Sequence, residues 1–149
     1  MKRTSFFALL LLAGSCQRTE PIQPAASDLA GNWQGTYDIQ QAGSCNWSGP
    51  TSLPTTATWQ VSGTQVTGSI TRQYGQTSTL TQLTGTISGS TVQVIETKAN
   101  NVSCDGVART YISRYEGTIN GNALTLNGTD TLCPVQGCIF RRTLKLTRS

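Results

Sequence analysis

Five charged side chains and one tyrosine carry the chemistry that this sequence could perform inside a folded domain. Residues two apart in a β-strand share a face, and these six stand in step with apolar neighbours of a buried face. They are Arg72, Glu96, Arg109, Tyr111, Asp130 and Arg142. A surplus of arginine on that face could hold a carboxylate or a phosphate. The alternative is that the charges pair with one another at a wet rim.

Catalysis has little support in the sequence. The chain has no histidine, the commonest general base and metal ligand, and it has no nucleophile motif or phosphate loop. Glu96 and Asp130 could be the paired carboxylates of a glycosidase, but nothing sets their separation. We therefore expect a protein that is not an enzyme and that has neither a metal nor a cofactor. No cluster of lysine and arginine with interleaved aromatic residues points to nucleic acid.

The composition predicts the elements that must position these residues. Charged residues make up 12% of the chain, whereas 24 of 149 residues are threonine and 15 are glycine, which favours an all-β fold. A five-residue unit with a central inward glycine recurs five times, and such a glycine permits bending and close approach across a core. The copies are 33–37, 66–70, 83–87, 115–119 and 126–130.

Alternation and turn signals predict eight strands that follow one another as hairpins. They are 31–40, 54–61, 65–73, 78–88, 91–98, 108–119, 123–130 and 138–148. A break in alternation between Leu80 and Leu83 predicts a β-bulge in the fourth strand. Longer loops follow the first, fifth and seventh strands, so we expect an eight-stranded antiparallel up-and-down β-barrel with every tight turn at a closed end and the long loops at a mouth.

Gly31-Asn32-Trp33 at the start of the first strand resembles the Gly-x-Trp signature of lipocalins and related eight-stranded barrels. The resemblance implies that Trp33 packs at the closed end against a basic residue of the last strand, here Arg148. In the related fatty-acid-binding barrels an arginine of the last strand reaches an acidic headgroup, which makes Arg142 the strongest candidate for a ligand contact. The chain departs from that family in being shorter and in lacking an evident C-terminal helix.

Four cysteines fall at the mouth end, namely Cys45, Cys104, Cys133 and Cys138. In an exported domain they most often form two disulfides, and three pairings are open. We favour Cys133 with Cys138 and Cys45 with Cys104. A metal site is the alternative, but the chain has neither the CxxC spacing nor the histidine that would support it.

The N-terminus is expected to be an export signal. Lys2 and Arg3 precede a short apolar run, and Ala13-Gly14-Ser15-Cys16 resembles the lipobox of bacterial lipoproteins, whose cysteine is lipidated. The resemblance implies a signal peptide over 1–15, a flexible tether over 16–28 and a lipocalin-like barrel domain over 29–149. It also implies a protein held by its lipid anchor in the bacterial cell envelope, at the outer membrane.

The leading hypothesis for function is a lipid-anchored barrel that binds a small amphipathic or anionic ligand in its mouth. The alternative is a protein-binding module, on the pattern of lipoproteins that inhibit lysozyme or proteases, in which Trp47 of the first mouth loop contacts the partner. A structural envelope protein without a soluble ligand is a third possibility.

Overall fold

A computed structural model describes residues 28–43, 49–102, 108–133 and 138–149 of the chain. For residues 98–102, 108–109, 111, 131–133 and 138, only the backbone is described. The expected signal peptide and tether up to residue 27, including Cys16, lie outside the described residues, as do Cys45, Trp47 and Cys104. Among the described residues, no helix is long and apolar enough to span a membrane.

Alternating apolar and polar residues build eight strands. They are β1 Gly31–Ala42, β2 Ser52–Ser62, β3 Gln65–Tyr74, β4 Thr77–Ser88, β5 Thr91–Val102, β6 Ala108–Asn120, β7 Ala123–Cys133 and β8 Cys138–Arg148. Each strand pairs antiparallel with the next, and β8 pairs with β1, so the sheet closes into an up-and-down barrel. The predicted all-β barrel and its eight strands are confirmed, although β5 runs four residues beyond its predicted end.

The two ends of the barrel differ in their connections. At the closed end lie the start of β1, the end of β8 and three two-residue turns, which follow β2, β4 and β6. At the mouth lie the ends of β1, β3, β5 and β7 and the starts of β2, β4, β6 and β8. The expectation that every tight turn lies at the closed end is wrong for the β3–β4 connection. Gly75 has a φ of 57°, which permits a two-residue turn at the mouth.

The repeated glycines let neighbouring strands approach closely on the inside of the barrel. A Cβ atom at Gly117 would overlap the carbonyl oxygen of Thr125, and one at Gly85 would overlap the carbonyl oxygen of Gln93. At Gly68 the ring of Trp59 fills the space, 2.5 Å from where a Cβ would stand. A residue with a side chain would push these strands apart, so the glycines set the narrow cross-section of the barrel.

The apolar core fills the closed half. Its members are almost fully buried, and each buried large side chain stabilises the fold by about 1.5–3 kcal/mol relative to exposure. In the closed half they are Leu29, Trp33, Ala57, Trp59, Val66, Ile70, Leu83, Ile87, Val92, Val94, Ile119, Leu124, Leu126, Leu144 and Leu146, and toward the mouth the same core includes Tyr37, Ile39, Leu53, Tyr115 and Phe140. This packing fixes the part of each strand that lies in the closed half, from which the strand continues to the mouth.

Toward the mouth, three of the eight strand ladders end before their strands do. The last paired residues are Thr55 with Arg72, Leu83 with Glu96, and Tyr115 with Gly128. Beyond these pairs the described residues form three separate ribbons: the tip of the β3–β4 hairpin, the tip of the β5–β6 hairpin, and the four strands β7, β8, β1 and β2, which stay paired. The mouth is therefore divided along three seams.

The bulge predicted in β4 is wrong. Pairing between β3 and β4 runs without a shift from Gln65 with Thr86 to Tyr74 with Thr77. Leu80 points outward with 62% of its surface exposed, and Thr81 takes the inward position. Alternation is kept because the hydroxyl of Thr81 accepts a hydrogen bond from a buried arginine, which an apolar residue could not do. The irregular pairings lie instead near the mouth, between Lys98 and Asn101 and between Thr131 and Cys133.

Candidate functional site

Where the three ladders end, hydrogen bonds between side chains connect the ribbons. Arg72, the last residue of β3 that pairs with β2, donates to both carboxylate oxygens of Glu96, the last residue of β5 that pairs with β4, at 2.6 and 2.9 Å. Tyr115, where the β6–β7 ladder ends, donates its hydroxyl to Glu96 at 2.9 Å. The three ladder ends are therefore bonded to one another. We call Arg72, Glu96, Tyr115, Tyr37 and Thr81 the inner network.

The inner network is closed to solvent. The side chains of Arg72 and Glu96 are 2% and 0% exposed, and the guanidinium lies 4.1 Å from the centre of the Tyr37 ring. The two tyrosine hydroxyls are 3.3 Å apart, and Tyr37 must donate because Tyr115 gives its proton to Glu96. Separating Arg72 from Glu96 is unfavourable, because it would leave an unpaired charge in the interior.

A second set of polar side chains lies nearer to solvent, and we call it the outer cluster. It consists of Arg142 on β8, Asp130 on β7 and Ser113 on β6. Nη1 of Arg142 contacts a carboxylate oxygen of Asp130 and also donates to the Ser113 hydroxyl at 3.0 Å. That hydroxyl donates to the same carboxylate oxygen at 2.6 Å. The side chains of Arg142 and Asp130 are 8% and 11% exposed.

Electrostatics fix the charge states of this region. Burial disfavours the charged form of Arg142, but Tyr37, Tyr115 and Asp130 outweigh it and hold the pKa of Arg142 above its usual value. Burial raises the pKa of Tyr115 well above 10 and also raises that of Tyr37. Both tyrosines are therefore neutral hydrogen-bond groups at physiological pH, and Arg142 stays a cation.

Three buried N–H donors of the described residues have no hydrogen-bond partner: Nε of Arg72, Nε of Arg142 and Nε1 of Trp59. Burying such a donor without an acceptor costs about 1–3 kcal/mol. Among the described side chains, no buried acceptor atom lacks a hydrogen-bond partner. The interior therefore has a surplus of donors, and its complement is a group that accepts hydrogen bonds.

The exposed fractions agree with the predicted inward positions of Arg72, Glu96, Asp130 and Arg142. Arg109 and Tyr111 lie on β6 toward the mouth, but their side chains are outside the described residues. The four described charges pair with one another, as in the alternative interpretation, although Arg72 and Glu96 form a dry pair rather than one at a wet rim. Whether these residues bind a ligand stays a prediction.

Sequence reasoning missed two members of the site. Ser113 joins the outer cluster and Thr81 joins the inner network, and both are buried. The signal for Ser113 was its position between Tyr111 and Tyr115 on the inward face of β6. Thr81 was obscured by Leu80, whose apolar side chain suggested that it, and not Thr81, faced the core.

At the closed end the guanidinium of Arg148 lies 5.1 Å from the centre of the Trp33 ring. Arg148 also donates to the carbonyl oxygens of Ala30, at 2.9 Å, and of Asp28. The indole N–H of Trp33 donates to the carbonyl of Leu29 at 2.9 Å, which fixes the entry of the chain under the barrel. Arg148 and Trp33 thus meet at the position that the lipocalin resemblance implies for them.

The structure describes the backbone of only two of the four cysteines at the mouth end. The backbone register puts Cys133 of β7 directly opposite Cys138 of β8, at the mouth end of the ladder. Their side chains lie outside the described residues, as do Cys45 and Cys104, so the two disulfides stay predictions. Among the described residues, no group of three or more acidic, cysteine or histidine side chains could hold a metal.

The chemistry that this arrangement offers is recognition. Glu96 is fully buried and accepts hydrogen bonds from Arg72 and Tyr115, so its carboxylate is not placed to exchange protons with a substrate. Arg142 combines a fixed positive charge, an N–H without a hydrogen-bond partner and a side chain that is 8% exposed. Comparisons with protein-family models, curated proteins and solved structures give no match for this chain.

Proposed function

We propose that this protein is a lipid-anchored β-barrel of the bacterial cell envelope whose mouth binds a small amphipathic ligand through the ligand's anionic end. The observation that carries the proposal is Arg142, a nearly buried cation in the mouth half of the barrel whose Nε has no hydrogen-bond partner. Ile39 lies opposite Arg142 in the ladder, and the ring of Phe140 lies 6.0 Å from its guanidinium. A ligand could therefore place an acidic group on Arg142 and a short apolar group beside Ile39 and Phe140.

The position of Asp28 and Leu29, where the described chain begins, is compatible with an anchor that leaves the mouth free. Asp28 and Leu29 lie at the closed end, where Arg148 binds the backbone of Asp28. In this proposal the lipid on Cys16 would hold the closed end toward the membrane and the mouth would face away from it. Replacing Cys16 by alanine is expected to release the protein from the membrane fraction, and mass spectrometry of the N-terminal peptide of the wild type should show a diacylglyceryl group.

Ligand binding is tested on the full chain purified from the envelope in mild detergent. Native mass spectrometry should show a co-purified small molecule, and a panel of fatty acids, retinoids and haem should define its class. Arg142→Ala is expected to abolish binding, whereas Arg141→Ala, a change of the exposed neighbour on the outer face, should leave it intact. Equal binding by wild type and Arg142→Ala would remove the basis of the proposal.

A protein-binding role is the second candidate, and a surface feature favours it. Leu80 on the β3–β4 tip and Ile112 on the β5–β6 tip point outward with 62% and 53% of their surfaces exposed. If a partner covers both side chains at once, they would form one apolar contact across two ribbons of the mouth half. If the barrel binds no small molecule but inhibits lysozyme or a protease, and Leu80→Asn with Ile112→Asn relieves the inhibition, this second function replaces the first.

A further inference from the structure

The two buried acids of the mouth half are held very differently. Glu96 receives two arginine nitrogens and a tyrosine hydroxyl and has no exposed surface. Asp130 meets Arg142 through one nitrogen, shares the Ser113 hydroxyl, and keeps 11% of its side chain exposed. Displacing Glu96 would break three bonds inside the barrel. Displacing Asp130 would break two and would move its carboxylate toward solvent.

Asp130 lies at the seam between β6 and β7, where the described residues pair its strand on one side only. The β6–β7 ladder ends at Tyr115 and Gly128, so Asp130 lies beyond the last paired residue on that side. Its backbone is held by Phe140 of β8 alone among the described residues. A rotation of its side chain therefore disturbs no backbone hydrogen bond between β6 and β7.

We propose that Asp130 is an internal substitute for the ligand's anionic group and that it sets the affinity and selectivity of the mouth. In the free protein its carboxylate accepts hydrogen bonds from the two groups that would hold a ligand, Nη1 of Arg142 and the hydroxyl of Ser113. A carboxylate ligand takes over both bonds, and the Asp130 side chain turns to solvent. The inference rests on the proposed function, since it concerns the same site.

Selectivity follows from the exchange. A neutral hydroxyl cannot replace the charge that Asp130 gives to Arg142, so an alcohol of the same length would leave the guanidinium without a counter-charge. A carboxylate supplies the same charge and the same acceptor atoms. The site therefore selects carboxylates, and it does so at an affinity lowered by competition from Asp130.

Decanoate and decanol are suitable probes because they share a chain and differ in the end group. Their dissociation constants would be measured on the full chain by calorimetry, with tryptophan fluorescence as a second signal. Asp130→Asn is expected to lower the dissociation constant of decanoate by about tenfold, because the ligand no longer competes with Asp130 for a charge-assisted hydrogen bond. The dissociation constant of decanol should not change. Arg142→Ala should abolish the preference for decanoate in both backgrounds.

Asp38→Asn is the matched control for net charge. Asp38 is also an aspartate paired with a basic residue, Lys145 at 3.1 Å, but this pair lies on the outer face. Both changes remove one negative charge, so a general electrostatic effect would tighten decanoate binding in both. Asp130→Ser provides a second variant should the asparagine fold poorly, and thermal melts establish that each variant is folded.

The outcomes separate this inference from the proposed function. Tightening for decanoate in Asp130→Asn or Asp130→Ser, and not in Asp38→Asn, supports it. If decanoate binding depends on Arg142 but is unchanged or weaker without Asp130, the inference is overturned and the binding function stands, with Asp130 as a support that orients the arginine. If neither the wild type nor the Asp130 variants bind decanoate, the inference fails, and the proposed function fails with it only if the panel of fatty acids, retinoids and haem shows no binding either.

Discussion

In the closed half of the barrel each strand is paired on both sides around apolar side chains, whereas in the mouth half three ladders have ended and polar side chains join the ribbons instead. The closed half depends on glycines that let backbones meet, as at Gly117 and Gly85. The mouth half depends on the contact of Arg72 with Glu96, which links two of its ribbons. Backbone pairing fixes the position of a strand along its whole ladder, while side-chain pairs can exchange partners.

This difference shows where binding can occur in so small a barrel. The tightly packed closed half has no buried charged side chain among the described residues that could meet a ligand. The mouth half contains every buried charge of the described residues. We expect substitutions in the closed half to alter stability alone. Substitutions in the inner network, at the boundary between the halves, should alter stability strongly, and substitutions in the outer cluster should alter ligand binding.

The largest loss of stability is expected at the boundary between the halves. Glu96→Gln removes the counter-charge of Arg72 in a site with no exposed surface, and breaking such a pair costs about 3–5 kcal/mol in the free energy of unfolding. Chemical denaturation measures that loss. Asp38→Asn, at an exposed pair, should cost less than about 1 kcal/mol.

A double variant sharpens this first prediction. Replacing Arg72 by methionine and Glu96 by leucine removes both charges, so much of the stability lost in Glu96→Gln should return. The ribbons would then be joined by apolar contact instead of hydrogen bonds. A double variant as unstable as the single one would show that the geometry of the pair, and not the unpaired charge, holds the boundary.

The next largest effect is expected in the closed half. Gly117→Ala would place a Cβ against the carbonyl oxygen of Thr125, and backbone cannot move aside as a side chain can. We expect a loss of about 1–3 kcal/mol in the free energy of unfolding. Thr118→Ala, on the exposed face of the same strand, should change it by about 0.5 kcal/mol or less. Equal losses at the two positions would contradict the close approach of β6 and β7.

The closed half could be predicted from the sequence because its determinants are local. Alternation gives the strands, the repeated glycine unit gives the tight coiling, and turns with glycine give the hairpin order. The inward positions of Arg72, Glu96 and Arg142 follow from the same alternation. The face of the strand on which each side chain lies follows from the local alternation. The residue that it contacts depends on the register of strands distant in sequence.

The arrangement of the mouth could not be predicted in this way. Arg72 and Glu96 are 24 residues apart, and Arg142 and Ser113 are 29 apart, so their contacts depend on the register of both strands against the one between them, β4 and β7 respectively. The end of a ladder also leaves no mark in the sequence, because the strand continues with the same alternation beyond it. Leu80 misled the prediction because an exposed leucine was read as a buried one.

Alkaline pH should weaken the mouth half selectively. The pKa of Tyr115 is raised well above 10 by burial, and that of Tyr37 is raised too, while in the unfolded chain both titrate near 10. The stability that these neutral tyrosines contribute is therefore complete below pH 10 and declines as pH rises above it. Denaturation midpoints measured from pH 8 to 11.5 should fall above pH 10.

A tyrosine variant checks the source of that decline. Tyr115→Phe should flatten the alkaline fall and should cost about 1 kcal/mol at neutral pH, because the hydrogen bond to Glu96 is lost. Absorbance at 295 nm reports tyrosine ionisation directly. If the folded wild type ionised all its tyrosines near pH 10, the two hydroxyls would not be buried as described.

The smallest effect is expected at the closed end, and it tests whether the halves are independent. Arg148→Lys keeps the charge but loses the planar group that covers Trp33 and reaches two carbonyl oxygens, so we expect a loss of about 1 kcal/mol. Denaturation followed by tryptophan fluorescence measures it, with Arg141→Ala as the exposed control. Decanoate affinity should not change, because no residue of the closed end contacts the outer cluster within the described chain. A parallel loss of affinity would mean that the closed end sets the geometry of the mouth and that the two halves act as one unit.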